Sequence, residues 1–330
     1  MKRPRPPKLP KELYRISPVK TILGIAYAFG LWCIPVIAMN QLWRLEPNWT
    51  VMIVSIPLII LAAQGLVLLV FMGHDGTHTN LVRNRFWSTL LGVIITIPAW
   101  PHCEMGFALC HWNHHRYTNT DSDPDCVGYK PYKNLFSRMF LSRISAFTEY
   151  FLTTVQMVFG SQTDRRKQYS MGVQGKQRRF IAALNLCTWT SMLGLIAWTG
   201  FTNPILFAIL MSVLFVAIII LGINPYIEHA GTDIGHGKDT RSRMGWWWSV
   251  FYLGNNYHLS HHLYPSIPFY NLPKVHAFLE ETGFLKQHQS HVSHGFLGTC
   301  AYAFGHHQYP EGDAEDDPFD VVKESLTAAN

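Results

Sequence analysis

Charge is the scarcest thing in this sequence. Asp, Glu, Lys and Arg supply 15% of 330 residues against 48% hydrophobic and 14% aromatic, whereas a water-soluble globule carries about a quarter charged residues. That shortage excludes most soluble enzymes and points to a chain partly dissolved in lipid. No CxxC pair occurs among Cys33, Cys103, Cys110, Cys126, Cys187 and Cys300, so cysteine zinc ribbons and dithiol redox motifs are excluded. The cysteines read as packing residues in a reducing compartment. No internal repeat of solenoid period is visible. The net charge is +6 with neutral histidine, but no basic and aromatic surface module accompanies it. Anionic lipid of the inner leaflet explains the excess better than nucleic acid does.

What the chain has instead is long apolar runs. Four of them, 21–39, 51–73, 180–199 and 204–223, are uncharged, and each approaches the roughly 20 residues that cross a hydrocarbon core as helix. The first is too long for a signal-peptide core and is followed by Asn40 and Gln41 without a small-residue cleavage site, so it is expected to be retained. Lys2, Arg3, Arg5, Lys8, Lys11, Arg15 and Lys20 precede the first run. Arg165, Arg166, Lys167, Lys176, Arg178 and Arg179 precede the third. Both stretches are expected on the cytoplasmic side, and the connections 40–50 and 200–203, almost without positive charge, on the other. The expected fold is therefore all-α: four transmembrane helices in two hairpins, with a cytoplasmic helical cap. One membrane-embedded domain over 1–310 and an acidic, disordered tail over 311–330 complete the layout.

A fifth apolar stretch, 87–101, is short for a crossing, and is expected to dip in and return or to lie buried under the cap. Residues 133–160 mix apolar and basic positions and read as a helix along the membrane surface, with Arg138 and Arg143 meeting headgroups. Trp246, Trp247 and Trp248 read as an interfacial belt or the lining of a passage. Pro265, Pro268 and Pro273 mark turns in the C-terminal cap.

Against this background eight histidines fall into three clusters: His74 with His78, His111 with His114 and His115, and His258 with His261 and His262. Spacings of three and four place side chains on one helix face, so each cluster can aim two or three imidazoles at one point. His229, just beyond the fourth run, is a ninth candidate. Imidazole suits iron, zinc, copper or nickel, and nine ligands exceed what one ion takes, so two ions are expected. His288, His291 and His294 recur every third residue among polar neighbours and read as surface loop. His102, His236, His276, His306 and His307 have no ligand-like partner nearby in sequence.

The chain resembles the integral-membrane fatty acid desaturase and hydroxylase family with three histidine boxes. The resemblance rests on His74-Asp-Gly-Thr-His78 and on His111-Trp-Asn-His-His-Arg116 with Thr118, Asn119 and Asp123-Pro-Asp125. It continues in Glu228-His229-Ala-Gly231 and in Asn255-Asn-Tyr-His-Leu-Ser-His-His262 followed by Leu263-Tyr-Pro265 and Leu272-Pro273. It covers roughly residues 50–285.

The resemblance implies two iron ions on His74, His78, His111, His114, His115, His229, His258, His261 and His262 at the cytoplasmic surface. It further implies O2 as co-substrate and two electrons from a separate ferredoxin or cytochrome b5 type donor, since no His-Pro-Gly-Gly haem element is present. Asp75, Asp123, Asp125, Asn255 and Asn256 are candidates for orienting the ligand rings. HxxxH in the first box resembles lipid-linked acyl desaturases, carotenoid oxygenases and alkane hydroxylases, and desaturation of an acyl chain on a lipid or carrier is the first expectation. The third box followed by Leu-Tyr-Pro and Leu-Pro is shared by desaturases and carotenoid ketolases, which keeps hydroxylation or ketolation of a carotenoid or other long apolar substrate as the alternative. Ser260, where related enzymes often have Gln or Glu, leaves substrate and product open. A metal transporter or non-catalytic haem protein would place polar ligands near mid-span, whereas these spans are nearly free of ionisable groups.

Overall fold

The computed structural model describes residues 6–120, 122–124, 132, 134, 136–160, 173–295 and 298–300. Four helices in it are long and apolar enough to cross a membrane: α1 (Pro18–Leu45), α2 (Trp49–Thr77), α6 (Gly175–Thr202) and α7 (Pro204–His229). Each contains one of the expected runs and extends beyond it. Their starts follow from local chemistry. Asn48 and Asn203 accept hydrogen bonds from the backbone N–H of Val51 and Leu206 at 3.0 and 3.2 Å, satisfying donors that a helix start leaves open. Pro18 and Pro204 occupy first-turn positions, where no backbone N–H is needed.

The shorter elements are α3 (Arg85–Ile95), α4 (Glu104–Tyr117), α5 (Ser142–Phe159), α8 (Trp246–Tyr252), α9 (His258–Leu263), α10 (Leu272–Glu281) and α11 (Phe284–Gln287). α2 is the most enclosed of the long helices and packs against α1, α3, α4 and α7. Glycine permits the closest of these approaches. A Cβ on Gly65 would stand 2.4 Å from the Trp32 backbone nitrogen of α1. The outward faces keep large apolar side chains in the open, among them Ile34, Ile37, Ile53, Leu195, Trp198, Phe201 and Phe215. Water would not tolerate so broad an apolar exterior, and lipid accepts it.

The stretch 87–101 does not form a crossing helix. It folds as the 11-residue α3 and a short turn, Ile97–Ala99, packed on α2 and α6, so the chain enters α4 close to the end of α2. The fold is mostly helical but not purely so. β1 (Arg241–Met244) pairs in parallel with β2 (His291–His294), Arg241 opposite His291 and Met244 opposite His294. The expected surface loop around His288, His291 and His294 is thus partly a strand, and polarity alone concealed a two-strand pairing whose partner lies far away in sequence.

The surface-helix expectation also needs correction at Arg143. This residue of α5 is 7% exposed and faces inward toward Tyr150, 3.4 Å away. The N-terminal arm lies on the C-terminal cap, where the Pro7 and Leu13 carbonyls accept hydrogen bonds from Tyr264 and Asn271. Asp125 and the 311–330 tail lie outside the described residues.

Candidate metal centre

α2 ends in His74 and His78, α4 carries His111, His114 and His115, α7 ends in His229, and α9 carries His258, His261 and His262. The structure brings all nine together in two groups. His74, His78, His111, His115 and His261 form one; His114, His229, His258 and His262 form the other. Within each group one ligand atom per residue lies within 4.8 Å of all the others. Neither HxxHH box serves a single group. Residues i and i+4 of a box share one group while i+3 joins the other, because i+3 and i+4 stand about 100° apart around a helix.

In the five-histidine group four donor atoms form a circuit and the fifth ring stands over it. Nε2 atoms run in a closed circuit, His74 to His111 at 2.8 Å, His111 to His115 at 2.8 Å, His115 to His261 at 3.0 Å and His261 to His74 at 3.0 Å. A ring nitrogen either donates or accepts, never both, so four such contacts would have to share two protons. A point central to the circuit lies about 2 Å from each nitrogen, the length of a metal–imidazole bond. His111 and His261 stand at opposite corners with nearly parallel rings, 10° apart. The His78 ring caps the circuit, its centroid 4.7, 5.1, 4.9 and 4.8 Å from those of His74, His111, His115 and His261. Both His78 nitrogens are buried without a hydrogen-bond partner. An orphaned polar ring in a dry interior is costly, and a cation at the centre of the circuit removes that cost.

The four-histidine group is looser. Nε2 of His258 lies 3.2 Å from that of His229 and 3.1 Å from that of His262, and the His114 ring stands 4.6 and 5.0 Å from those of His229 and His262. The groups touch through His115 and His262, centroids 4.3 Å apart.

Burial first, and the surrounding imidazoles second, hold His111, His115, His258, His261 and His262 well below the ordinary imidazole range. They are therefore neutral near pH 7, the form that binds metal.

Around the rings, the expected orienting residues divide. His114 Nδ1 meets both Asp123 oxygens at 3.0 and 3.1 Å. Asp75 lies 3.6 Å from His74 Nδ1 and accepts the Phe269 backbone N–H at 3.0 Å. Asn255 and Asn256 instead donate to the carbonyls of Tyr252 and Arg243, so they shape the turn before α9 and hold no ring. Two ring supports went unforeseen. The Asp239 carbonyl lies 3.0 Å from His229 Nδ1, and Thr118 Oγ1 lies 3.5 Å from His262 Nδ1. A backbone carbonyl leaves no residue signature, whereas Thr118 sits in the quoted motif. His102, expected to be without a partner, pairs with Glu104 two residues on, at 2.9 Å and buried, with Thr77 donating to the same carboxylate at 2.8 Å.

A cavity partly open to solvent reaches both groups from one side, touching His74, His111, His114, His229 and His258. Val70, Phe71, Phe107, Phe147 and Leu221 make its walls apolar, and Arg143, Tyr150 and His102 give one wall a polar patch. His78, His115, His261 and His262 do not line it. Of the tryptophans, Trp246 and Trp247 are exposed and stacked on each other, Trp248 is buried, and none lines the cavity.

Long apolar helices that end at nine imidazoles, eight of them buried and grouped so that they could hold metal, with a cavity beside them, define a membrane-type helical protein with a candidate metal centre. Residues 47–296 match the protein family described as fatty acid desaturase, and the chain belongs to that family. Membership makes it an oxidoreductase of the desaturase and oxygenase type. No curated protein matches the chain.

Proposed function

We propose that this protein uses two iron ions, O2 and electrons from a separate ferredoxin or cytochrome b5 type donor to desaturate an acyl chain carried on a lipid or carrier at the cytoplasmic face of a membrane. The observation that carries the reading is the convergence of nine imidazoles into five and four beside an apolar cavity, in a chain of the desaturase family. Imidazole-bound iron and O2 supply the oxidising power to take hydrogen from unactivated carbon, which no side chain can do as acid or base near pH 7.

The chain's own residues supply position and dryness. The five rings and the four rings would each hold one ion. Asp123, Thr118 and the Asp239 carbonyl fix the rings of His114, His262 and His229 from the Nδ1 side, as partners of ligating histidines do. Phe107 stacks on His111, ring centroids 5.0 Å apart, and with Val70, Phe71 and Leu221 it gives an acyl chain an apolar bed and keeps bulk water from the reacting carbon. The helix ends that carry His74, His78 and His229 place the centre where a lipid tail can enter from the bilayer. Positive charge before α1 and α6 supports a cytoplasmic placement of that end, with α1–α2 and α6–α7 as two hairpins in one membrane-embedded domain over 1–310.

Hydroxylation or ketolation is the second reading, and the polar patch of Arg143, Tyr150 and His102 on the cavity wall favours it, because a pure hydrocarbon chain has no use for a buried guanidinium. The test is expression in a host of simple lipid composition, with mass spectrometry of fatty acids and added carotenoids. A new double bond in an acyl chain supports the proposal; a hydroxyl or ketone instead selects the second reading, and no new product with both irons bound refutes both.

A further inference from the structure

The two imidazole groups differ by one ligand, five against four. We propose that Glu228 makes up the difference, its carboxylate binding the metal ion held by His114, His229, His258 and His262. The inference rests on the reading of those histidines as ligands and adds a residue of another chemistry to them.

Position sets Glu228 apart from the other acids near the centre. Asp123 and Asp75 stand behind their histidines, against Nδ1, where a carboxylate can only orient the ring. Glu228 Oε2 stands on the donor side, 3.5 Å from His258 Nε2, the atom that faces the Nε2 atoms of His229 and His262. Two donors of one ion with bonds of about 2.1 Å lie about 3.0 Å apart at a right angle and about 3.4 Å apart at the tetrahedral angle. The observed separation is close to the tetrahedral value for neighbours in one coordination shell, with the carboxylate outside the set of four donors that lie within 4.8 Å of one another. Glu228 is also the one carboxylate among the described residues that line the cavity.

The protein fixes this aim from behind. Glu228 Oε1 accepts from Arg243 Nη2 at 2.6 Å and from Asn224 Nδ2 at 3.1 Å. Arg243 in turn donates to Asn224 Oδ1 at 2.7 Å and is gripped between the faces of Trp248 and Tyr252, each 4.6 Å away. Buried carboxylates kept only for stability are commonly replaceable by apolar packing. Here a guanidinium, an amide and two aromatic rings hold one oxygen so that the other is turned toward the histidines. The consequence is an asymmetric pair of sites, one with five neutral ligands and one with four neutral ligands and an anion. The anion stabilises the higher charge state of its own ion.

The test strips the purified full-length protein with a chelator and titrates Zn2+ by calorimetry and elemental analysis, for wild type and Glu228→Gln. Wild type is expected to bind two ions. Glu228→Gln is expected to keep one at wild-type affinity and to bind the other at least about tenfold more weakly. Two ions at unchanged affinities in the variant overturn the proposal, and a wild type that binds none overturns the nine-histidine reading beneath it. Should Glu228→Gln misfold because Arg243 loses its partner, infrared difference spectra of wild type with 13C-labelled glutamate carboxylates decide. A labelled band that shifts on Zn2+ binding, and does not shift in the charge-preserving Glu228→Asp, supports coordination. A wild-type spectrum without a shifted band overturns it.

Discussion

Each HxxHH box is divided between the two groups by helical arithmetic. His111 and His115 serve the five-membered group and His114 the four-membered one, while His258 and His262 serve the four and His261 the five. A single ion could not engage adjacent histidines on a regular helix, so the doublets His114-His115 and His261-His262 support the proposed two sites. As proposed ligands of the same ion, His115 and His261 are expected to behave alike. His115→Ala or His261→Ala should abolish turnover and lower bound metal, with membrane insertion intact; full activity in either variant would contradict the ligand assignment. Asp123→Ala, which frees the His114 ring, should weaken metal binding about 10- to 100-fold, read by competition with a chelating dye.

Acidity acts on the same rings. In the metal-free protein, burial and neighbouring imidazoles keep His111, His115, His258, His261 and His262 neutral, while the unfolded chain takes up protons below about pH 6.5. The unfolded state then binds more protons, so this contribution to stability is whole above about pH 6.5 and is lost as the pH falls below it. Thermal unfolding of stripped protein should come earlier at about pH 5.5 than at about pH 7.5, and bound metal should delay that fall until protons displace it. An unfolding temperature independent of pH across this window would show that the rings are not buried together.

At the scale of elements, the centre depends on how closely α4 lies against its neighbours. A Cβ on Gly106 would stand 1.8 Å from the Tyr150 carbonyl oxygen of α5, so Gly106→Ala must push the two helices apart. Overpacking of this kind costs on the order of 1–3 kcal/mol. Because α4 carries His111, His114 and His115, the displacement should also reduce bound metal below two ions per chain, although no ligand is altered. Retention of both ions with an unchanged melting temperature would show that α5 can yield without moving α4. α7 illustrates the same coupling through sequence order. One turn places Asn224 beside Glu228 and the next residue is His229, so Arg243, the Glu228 carboxylate and the four-membered group share a single helix end.

For the whole molecule, the proposed topology makes a sharp prediction. Single cysteines placed in 46–48 and at 203, in a background with the native cysteines removed, should react with an impermeant maleimide from outside the cell; cysteines at 8 and 238 should react only after the membrane is opened. Labelling of 203 from the same side as 238 would sink the hairpin α6–α7.

Legibility differed by kind of information. The four long helices were readable because an apolar run of membrane length has few other folded forms, and α3 was recognisable as no crossing from its length. The nine histidines were readable because imidazoles at three- and four-residue spacing are rare outside metal sites. The buried state of Arg143, the strand at His291–His294 and the pairing of His102 with Glu104 were not, since each depends on which distant surface arrives to cover it. The sequence by itself determined the solvent, the helices and the donor atoms, properties carried by local composition and period. Only the tertiary structure decided which ring joins five and which joins four, which carboxylate faces Nε2 and which Nδ1, and where the cavity opens. Those are relations of angle and distance between segments as far apart as His74 and His261, and chain order places no constraint on them until packing does.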